Sequence, residues 1–190
     1  LLKLLQQAGF TLQKRAQVLG KISQNRPVLA VAGTHGKTTT STLLAHLLHH
    51  GGVPVEAFLG GIALGQASNL LLAGKDEKSP WMVAEADEFD RSFLTLYPTF
   101  AAITSVDADH LDIYGTHQEV LQAFGQFAEQ IKEGGLLWHE DVVEPLQQAV
   151  PATAHLNADV YGELAPQESL EGRGWAAGYA QVGHAASGPH

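Results

Sequence analysis

The sequence predicts an α/β fold built on a doubly wound, mostly parallel sheet with a P-loop. Three observations carry that expectation. The apolar run Val28–Ala32 leads directly into Gly33-Thr34-His35-Gly36-Lys37-Thr38-Thr39 and then a helix-compatible stretch, the order strand, glycine loop, helix. Short apolar runs then alternate with amphipathic stretches, the pattern of parallel strands joined by crossover helices. Chemically loaded segments at 33–39, 85–90 and 107–110 each follow an apolar run, and ligands of such sheets bind at the carboxyl ends of strands.

Residues 1–22 are helix-compatible with a break near Gly9, so 13–22 should form a short amphipathic helix before Pro27. Residues 38–50 continue the loop as a helix, with Leu43, Leu44, Leu47 and Leu48 expected on one apolar face and Gly51-Gly52 as the stop. Residues 53–59 read as a second strand, followed by a link through Gly60, Gly61 and Gly65. Residues 81–84 form a buried strand that delivers Glu85, and 100–106 another that delivers Asp107-Ala108-Asp109-His110. Between 116 and 132, Val120, Leu121, Phe124, Phe127, Ala128 and Ile131 keep the three-and-four spacing of a helix. Strands at 136–138 and 152–156, with a short helix over 141–149 between them, complete the pattern.

From Gly162 no period survives, and 162–190 is expected to be a poorly ordered Gly/Ala-rich tail. The chain opens on Leu1 rather than Met, so a fragment or processed product is expected. With 45% hydrophobic and 16% charged residues the 190-residue chain is globular rather than disordered. No run approaches the roughly 18 apolar residues of a membrane span. No secretory leader opens it, and the absence of cysteine suits a reducing compartment; cytoplasm is expected, with no membrane partner. The net charge of −9 is unevenly spread. Residues 1–55 hold Lys3, Lys14, Arg15, Lys21, Arg26 and Lys37 and no acid, which suits an anionic ligand at the loop. Basic residues this sparse, without interleaved aromatics, argue against nucleic acid.

The loop's glycines let backbone N–H groups approach an anion, and the following helix adds its unpaired N–H groups and dipole. Lys37 would reach the outer phosphates and the Thr38 hydroxyl would bind Mg²⁺. Glu85-Ala86-Asp87-Glu88-Phe89-Asp90 concentrates four carboxylates, and two charges ~4 Å apart cost about 4 kcal/mol at an effective dielectric near 20. Such a cluster splays into water or holds a cation. Glu85, first beyond its strand, is the expected Mg²⁺ ligand; the others are unassigned. His110 stands out among ten histidines by position alone. His46 and His50, four apart, have metal-ligand spacing but read better as a solvated helix end. Asn69 and Tyr114 lie near these segments as candidate substrate contacts, whereas Trp81, Phe124 and Phe127 read as core.

Gly-Thr-His-Gly-Lys-Thr-Thr at 33–39, Glu-Ala-Asp-Glu-Phe-Asp-Arg-Ser-Phe-Leu at 85–94, Pro98 before an apolar strand and Asp-Ala-Asp-His-Leu-Asp-Ile-Tyr at 107–114 together resemble the central domain of the Mur ligases, in order and spacing, from about Phe10 to Tyr161. The resemblance implies an ATP-binding central domain over 27–161, C-terminally truncated, with 1–26 a helical lead-in from a preceding domain. It implies that Gly33, Thr34, His35, Gly36, Lys37, Thr38 and Thr39 bind ATP, with Lys37 on the β- and γ-phosphates. Thr38 and Glu85 would hold one Mg²⁺ and His110 a second, making Lys37, Glu85 and His110 the catalytic set. His35 in the loop favours the branch that joins L-alanine to UDP-N-acetylmuramate or its relative, the murein-peptide recycling ligase, and Phe124, where several members carry a carbamylated lysine, fits the alanine-adding branch better. Carboxylate attack on ATP would give an acyl phosphate that the amine then opens, with closure of a further domain excluding water. The implied acceptor-binding domains lie outside the chain, so these 190 residues alone are expected not to form the amide. A murein-peptide recycling ligase, a polyglutamate-adding relative, a nucleotide switch and a binding remnant without turnover are the alternatives. The switch is disfavoured because no guanine-reading Asn-Lys-x-Asp segment occurs.

Overall fold

The computed structural model describes residues 1–62, 67–75, 77–131, 135–139, 142, 145, 146 and 158–161. After helices α1 (Leu2–Gln7) and α2 (Arg15–Ser23) come β1 (Val28–Ala32), α3 (Lys37–His50), β2 (Val55–Phe58), β3 (Leu70–Leu71) and β4 (Trp81–Glu85). A 3-10 segment (Phe89–Thr95), β5 (Phe100–Ile103), α4 (Leu111–Tyr114), α5 (His117–Glu129), β6 (Leu136–His139) and β7 (Ala158–Tyr161) follow. The strands form one seven-stranded sheet in the order β3-β2-β4-β1-β5-β6-β7, parallel throughout except for the β2–β3 edge pair. The expected doubly wound, mostly parallel sheet is therefore present.

Side-chain alternation on the strands separates two cores. Val28, Ala30, Ala32, Met82, Ala84 and Ile103 pack with Leu19, Phe93, Phe124 and Phe127 on one face. Leu29, Val55, Ala57 and Val83 pack with Leu44, Ala45 and Leu48 on the other. The chain leaves β1 toward the second face, as α3, and leaves β4 toward the first, through Phe93. Between those departures the carboxyl ends of β1, β4 and β5 frame a crevice, the place where such sheets bind ligands. Register keeps these ends level: Val31 lies between Glu85 and Ala102.

Several expectations need correction. Leu43 and Leu47 point outward, 53% and 51% exposed; α3 buries Ser41 and Ala45 and packs Leu44 and Leu48 against the sheet. Four leucines at i, i+1, i+4 and i+5 span too wide an arc for a helix seated on one sheet face. The strand expected over 100–106 ends at Ile103, so residues 104–110 form a loop rather than a strand end. The antiparallel edge strand β3 had no counterpart in the sequence reading, because two residues carry no period. The strand expected at 152–156 lies outside the described residues, as do most of 141–149 and the tail 162–190.

Among the described residues no helix is long and apolar enough to cross a membrane. Helix α5 starts where Thr116 accepts a hydrogen bond from the Glu119 N–H, an N-cap that satisfies one first-turn donor.

Candidate functional site

The loop 33–36 turns the chain from β1 into α3, and its shape depends on glycine at two points. Gly33 has φ +134°, and a Cβ there would run into Thr104 Oγ1 and crowd the Ser105 backbone N. Gly36 caps α3 in the left-handed region at φ 80°. The loop is tied to the segment after β5 by hydroxyls. Thr34 N donates to Ser105 O at 3.1 Å, the His35 N–H donates to Ser105 Oγ at 2.9 Å, and Thr104 Oγ1 donates to His35 O at 2.5 Å. Thr34 Oγ1, itself buried, accepts from the Asp107 N–H at 3.0 Å. The first-turn N–H groups of α3 lack intrahelical acceptors by construction and open over the crevice.

Thr38 and Glu85 meet. The Thr38 hydroxyl lies 3.0 Å from both carboxylate oxygens of Glu85, and the Gly60 N–H donates to Glu85 Oε2 at 2.7 Å. A Cβ at Gly60 would displace that carboxylate from its present position. The residues fit a magnesium ion. Adjacent ligands at 2.0–2.1 Å in an octahedron stand about 3 Å apart, which matches the observed oxygen separation. Both oxygens are hard donors. Among the described residues no group of three or more His, Asp or Glu side chains could hold a metal, so phosphate and water would supply the other ligands, as is usual for Mg²⁺.

Lys37 is turned into the fold. Its ammonium donates to Gly33 O at 2.7 Å and to Glu88 Oε2 and Oε1 at 2.8 and 3.0 Å, with Thr34 O at 3.4 Å. The Glu88 side chain is 1% exposed and that of Lys37 13%. His110 closes the row, with Nε2 at 3.6 Å from Glu88 Oε1 and 3.8 Å from Asp109 Oδ2. Imidazole is an unusual magnesium ligand, and the contact seen for His110 is with carboxylates. The structure thus brings Lys37, Thr38, Glu85 and His110 into one contiguous cluster. His35 and Thr39 lie exposed, His35 Nε2 standing 3.7 Å from Asp107 Oδ2.

The sequence reading missed Glu88. It singled out Glu85 and left the other three carboxylates unassigned, and the structure sorts them: Asp87 and Asp90 are exposed, Glu85 is half-buried and Glu88 is buried. The sorting comes from backbone that no helical or strand period describes. Asp90 and Arg91 both adopt left-handed φ of 56° and 55° inside the 3-10 segment. Asp90 pairs with Lys14 at 2.5 Å, and the Arg91 guanidinium lies 5.4 Å over the Tyr114 ring. One signal was available: a P-loop lysine without nucleotide needs a counter-charge.

Tyr114 is not a substrate contact. It is buried and its hydroxyl donates to Glu88 O at 2.5 Å. Burial pushes its pKa up to about 12, opposed by Arg91, with Glu88 and Asp87 adding to the rise. The phenol therefore remains a donor through the physiological range. The unfolded chain ionises first, near 10, so this group withdraws stability as pH climbs from 10 toward 12. Asn69 likewise bonds Leu59 O at 3.1 Å rather than facing the crevice cluster. His50 Nδ1 lies 3.0 Å from His46 O, with the two ring centroids 4.0 Å apart and tilted by 34°, as a helix end rather than a metal clasp. Phe124 and Phe127 are core, as expected.

Known proteins resemble this chain in sequence and in fold. Residues 31–171 match the family described as Mur ligase middle domain. The UDP-N-acetylmuramate–L-alanine ligase of Porphyromonas gingivalis is 50% identical over 152 residues, 80% of this chain and 31% of that protein. The corresponding ligase of Cytophaga hutchinsonii is 46% identical over 68% of this chain and 28% of its own length. The chain thus spans less than a third of these curated relatives. Among solved structures, the UDP-N-acetylmuramate-alanine ligase of Thermotoga maritima superposes with a TM-score of 0.59 at 28% identity, over 77% of this chain and 31% of that one. The UDP-N-acetylmuramate:L-alanyl-gamma-D-glutamyl-meso-diaminopimelate ligase of Neisseria meningitides gives 0.68 at 22% identity, over 85% and 56%, a likeness of fold alone. A match across most of the chain, with the loop, the acidic strand end and His110 in one crevice, places the protein in the Mur ligase family, whose middle domain it carries.

Proposed function

We propose that this chain is the ATP-binding part of an ATP-dependent ligase that joins L-alanine to UDP-N-acetylmuramate in peptidoglycan synthesis in the cytoplasm. In this reading residues 27–161 are the ATP-binding domain and 1–26 the lead-in from a preceding domain. The observation that carries it is the contact of Thr38 with Glu85, beside Lys37 of the loop, where β1 and β4 end, in a chain about half identical to ligases named for that reaction.

The γ-phosphoryl of ATP passes to the muramate carboxylate with ADP as the leaving group, and the alanine amine then displaces phosphate from the acyl phosphate, losing a proton, to leave the amide. Gly33–Thr39 cradle the phosphates, with Lys37 compensating the outer ones. Thr38 and Glu85 would hold one Mg²⁺, and His110, beside the Glu88 and Asp109 carboxylates, would lie next to a second. A metal at Thr38 and Glu85 would offset the repulsion between a carboxylate and a triphosphate brought into contact. The hydroxyl stitches from Thr104 and Ser105 keep the loop in shape before any ligand arrives, which favours positioning over reorganisation.

Two experiments test the reading. A chimera of the Porphyromonas gingivalis relative, with this chain in place of the matching 152 residues, is expected to release ADP and form UDP-N-acetylmuramoyl-L-alanine. A folded chimera that does neither would refute the assignment. Glu85→Gln in the chain itself is expected to weaken the Mg²⁺ requirement of ATP binding by roughly ten- to a hundredfold, the range for loss of a group that supports a metal. Its melting temperature should barely move, because Glu85 is only half-buried. A collapse in thermal stability would assign Glu85 a structural role instead.

A further inference from the structure

The Lys37 ammonium has three protons and four acceptors within 3.4 Å: Gly33 O, Thr34 O and both oxygens of Glu88. No proton is left for a phosphate. Glu88 is not a side chain that drifted there. Its carbonyl accepts from the Tyr114 hydroxyl at 2.5 Å and from the Arg91 N–H at 2.9 Å. The two left-handed residues after it, Asp90 and Arg91, are held by Lys14 and by the Tyr114 ring. Such backbone costs free energy and persists only where its surroundings impose it. The whole turn fixes one carboxylate, 1% exposed, against one ammonium.

We propose that Glu88 is a specificity-determining residue: it is the resident counter-ion of Lys37, and a phosphate gains the lysine only by taking it from Glu88. This deepens the nucleotide reading above and rests on it. With the pair closed, the loop offers an incoming anion only backbone N–H groups and a helix dipole. Short phosphates hold to those weakly and cannot compete for a bidentate, desolvated partner. A triphosphate already seated by its inner phosphates presents its outer one at high effective concentration, and so prevails. Glu88 thereby biases the loop toward long polyphosphates and against phosphate and pyrophosphate.

The test is calorimetric titration of the 190-residue chain and its variants with Mg-ATP, pyrophosphate and inorganic phosphate. Glu88→Gln keeps the shape and removes the charge. It is expected to bind pyrophosphate about tenfold tighter while Mg-ATP gains less, so the preference for ATP falls. Adding Lys37→Met to Glu88→Gln should abolish the gain. Mere damage to the fold weakens every ligand, so the sign of the change separates the two causes. A folded Glu88→Gln chain with unchanged or weaker pyrophosphate binding overturns the proposal. If that variant does not fold, Glu88→Asp, which withdraws the carboxylate by one carbon, decides: a gain in pyrophosphate affinity supports the proposal and none refutes it. An unchanged chain that binds no Mg-ATP would sink the phosphate-loop reading and this inference together. Binding of Mg-ATP without a gain in the variants would sink this inference alone.

Discussion

Lys37→Ala is expected to remove measurable Mg-ATP binding and to destabilise the fold by roughly 3–5 kcal/mol, the range for breaking a buried ion pair from one side. The two losses have different origins. Binding fails because the loop's only ammonium is gone. Stability falls because Glu88 is left with a buried charge and no cation within hydrogen-bonding distance, His110 being 3.6 Å away. Pairing Lys37→Ala with Glu88→Gln distinguishes them: the neutral pair should regain most of the stability and none of the binding. Chemical denaturation and calorimetry on the same samples measure both. A Lys37→Ala chain that melts normally would mean that the buried pair is energetically silent. One that binds Mg-ATP normally would mean that the loop does not grip phosphate through its lysine.

Phe93→Ala is expected to cost about 3–5 kcal/mol, as for a phenylalanine deleted from a packed core. Its ring is 1% exposed, stacked on Phe127 at 4.9 Å and edge-on to Phe124 at 5.2 Å. A domain of this size loses about 2–4 °C of melting temperature per kcal/mol, so the midpoint should drop by roughly 10 °C. The Phe93 N–H donates to Asp87 O at 2.9 Å and the Leu96 N–H to Phe93 O at 3.1 Å, backbone bonds that alanine keeps, so the loss is one of packing. A midpoint within 2 °C of the unchanged protein, an interval below one kcal/mol on that scale, would show that the cavity refills and that this core is less cooperative than its packing implies.

The parts of the architecture with a period were legible in the sequence. β1 falls on its expected residues, 28–32, and α3 and α5 begin within a residue of their expected starts, because a P-loop and a three-and-four stripe each have a physical repeat. The choice of inward leucines on α3 was not legible. Leu43 and Leu44 differ by one residue and about 100° of arc, and only the sheet's position decides which is covered. In the site, Lys37, Thr38 and Glu85 lie where β1 and β4 end, as expected, whereas His110 reaches Glu88 from the loop after β5 rather than from a strand end. Glu88 stayed hidden, since its burial depends on two left-handed residues and on a tyrosine 26 positions away. Long-range hydrogen bonds of that kind leave no trace in composition or spacing.

The hydroxyl seam between residues 33–36 and 104–107 has a consequence for timing. Ordering a glycine-bearing turn is entropically unfavourable whenever it occurs. Here the loss is incurred as the polypeptide collapses rather than when a nucleotide arrives, so association should proceed without a slow rearrangement of the turn.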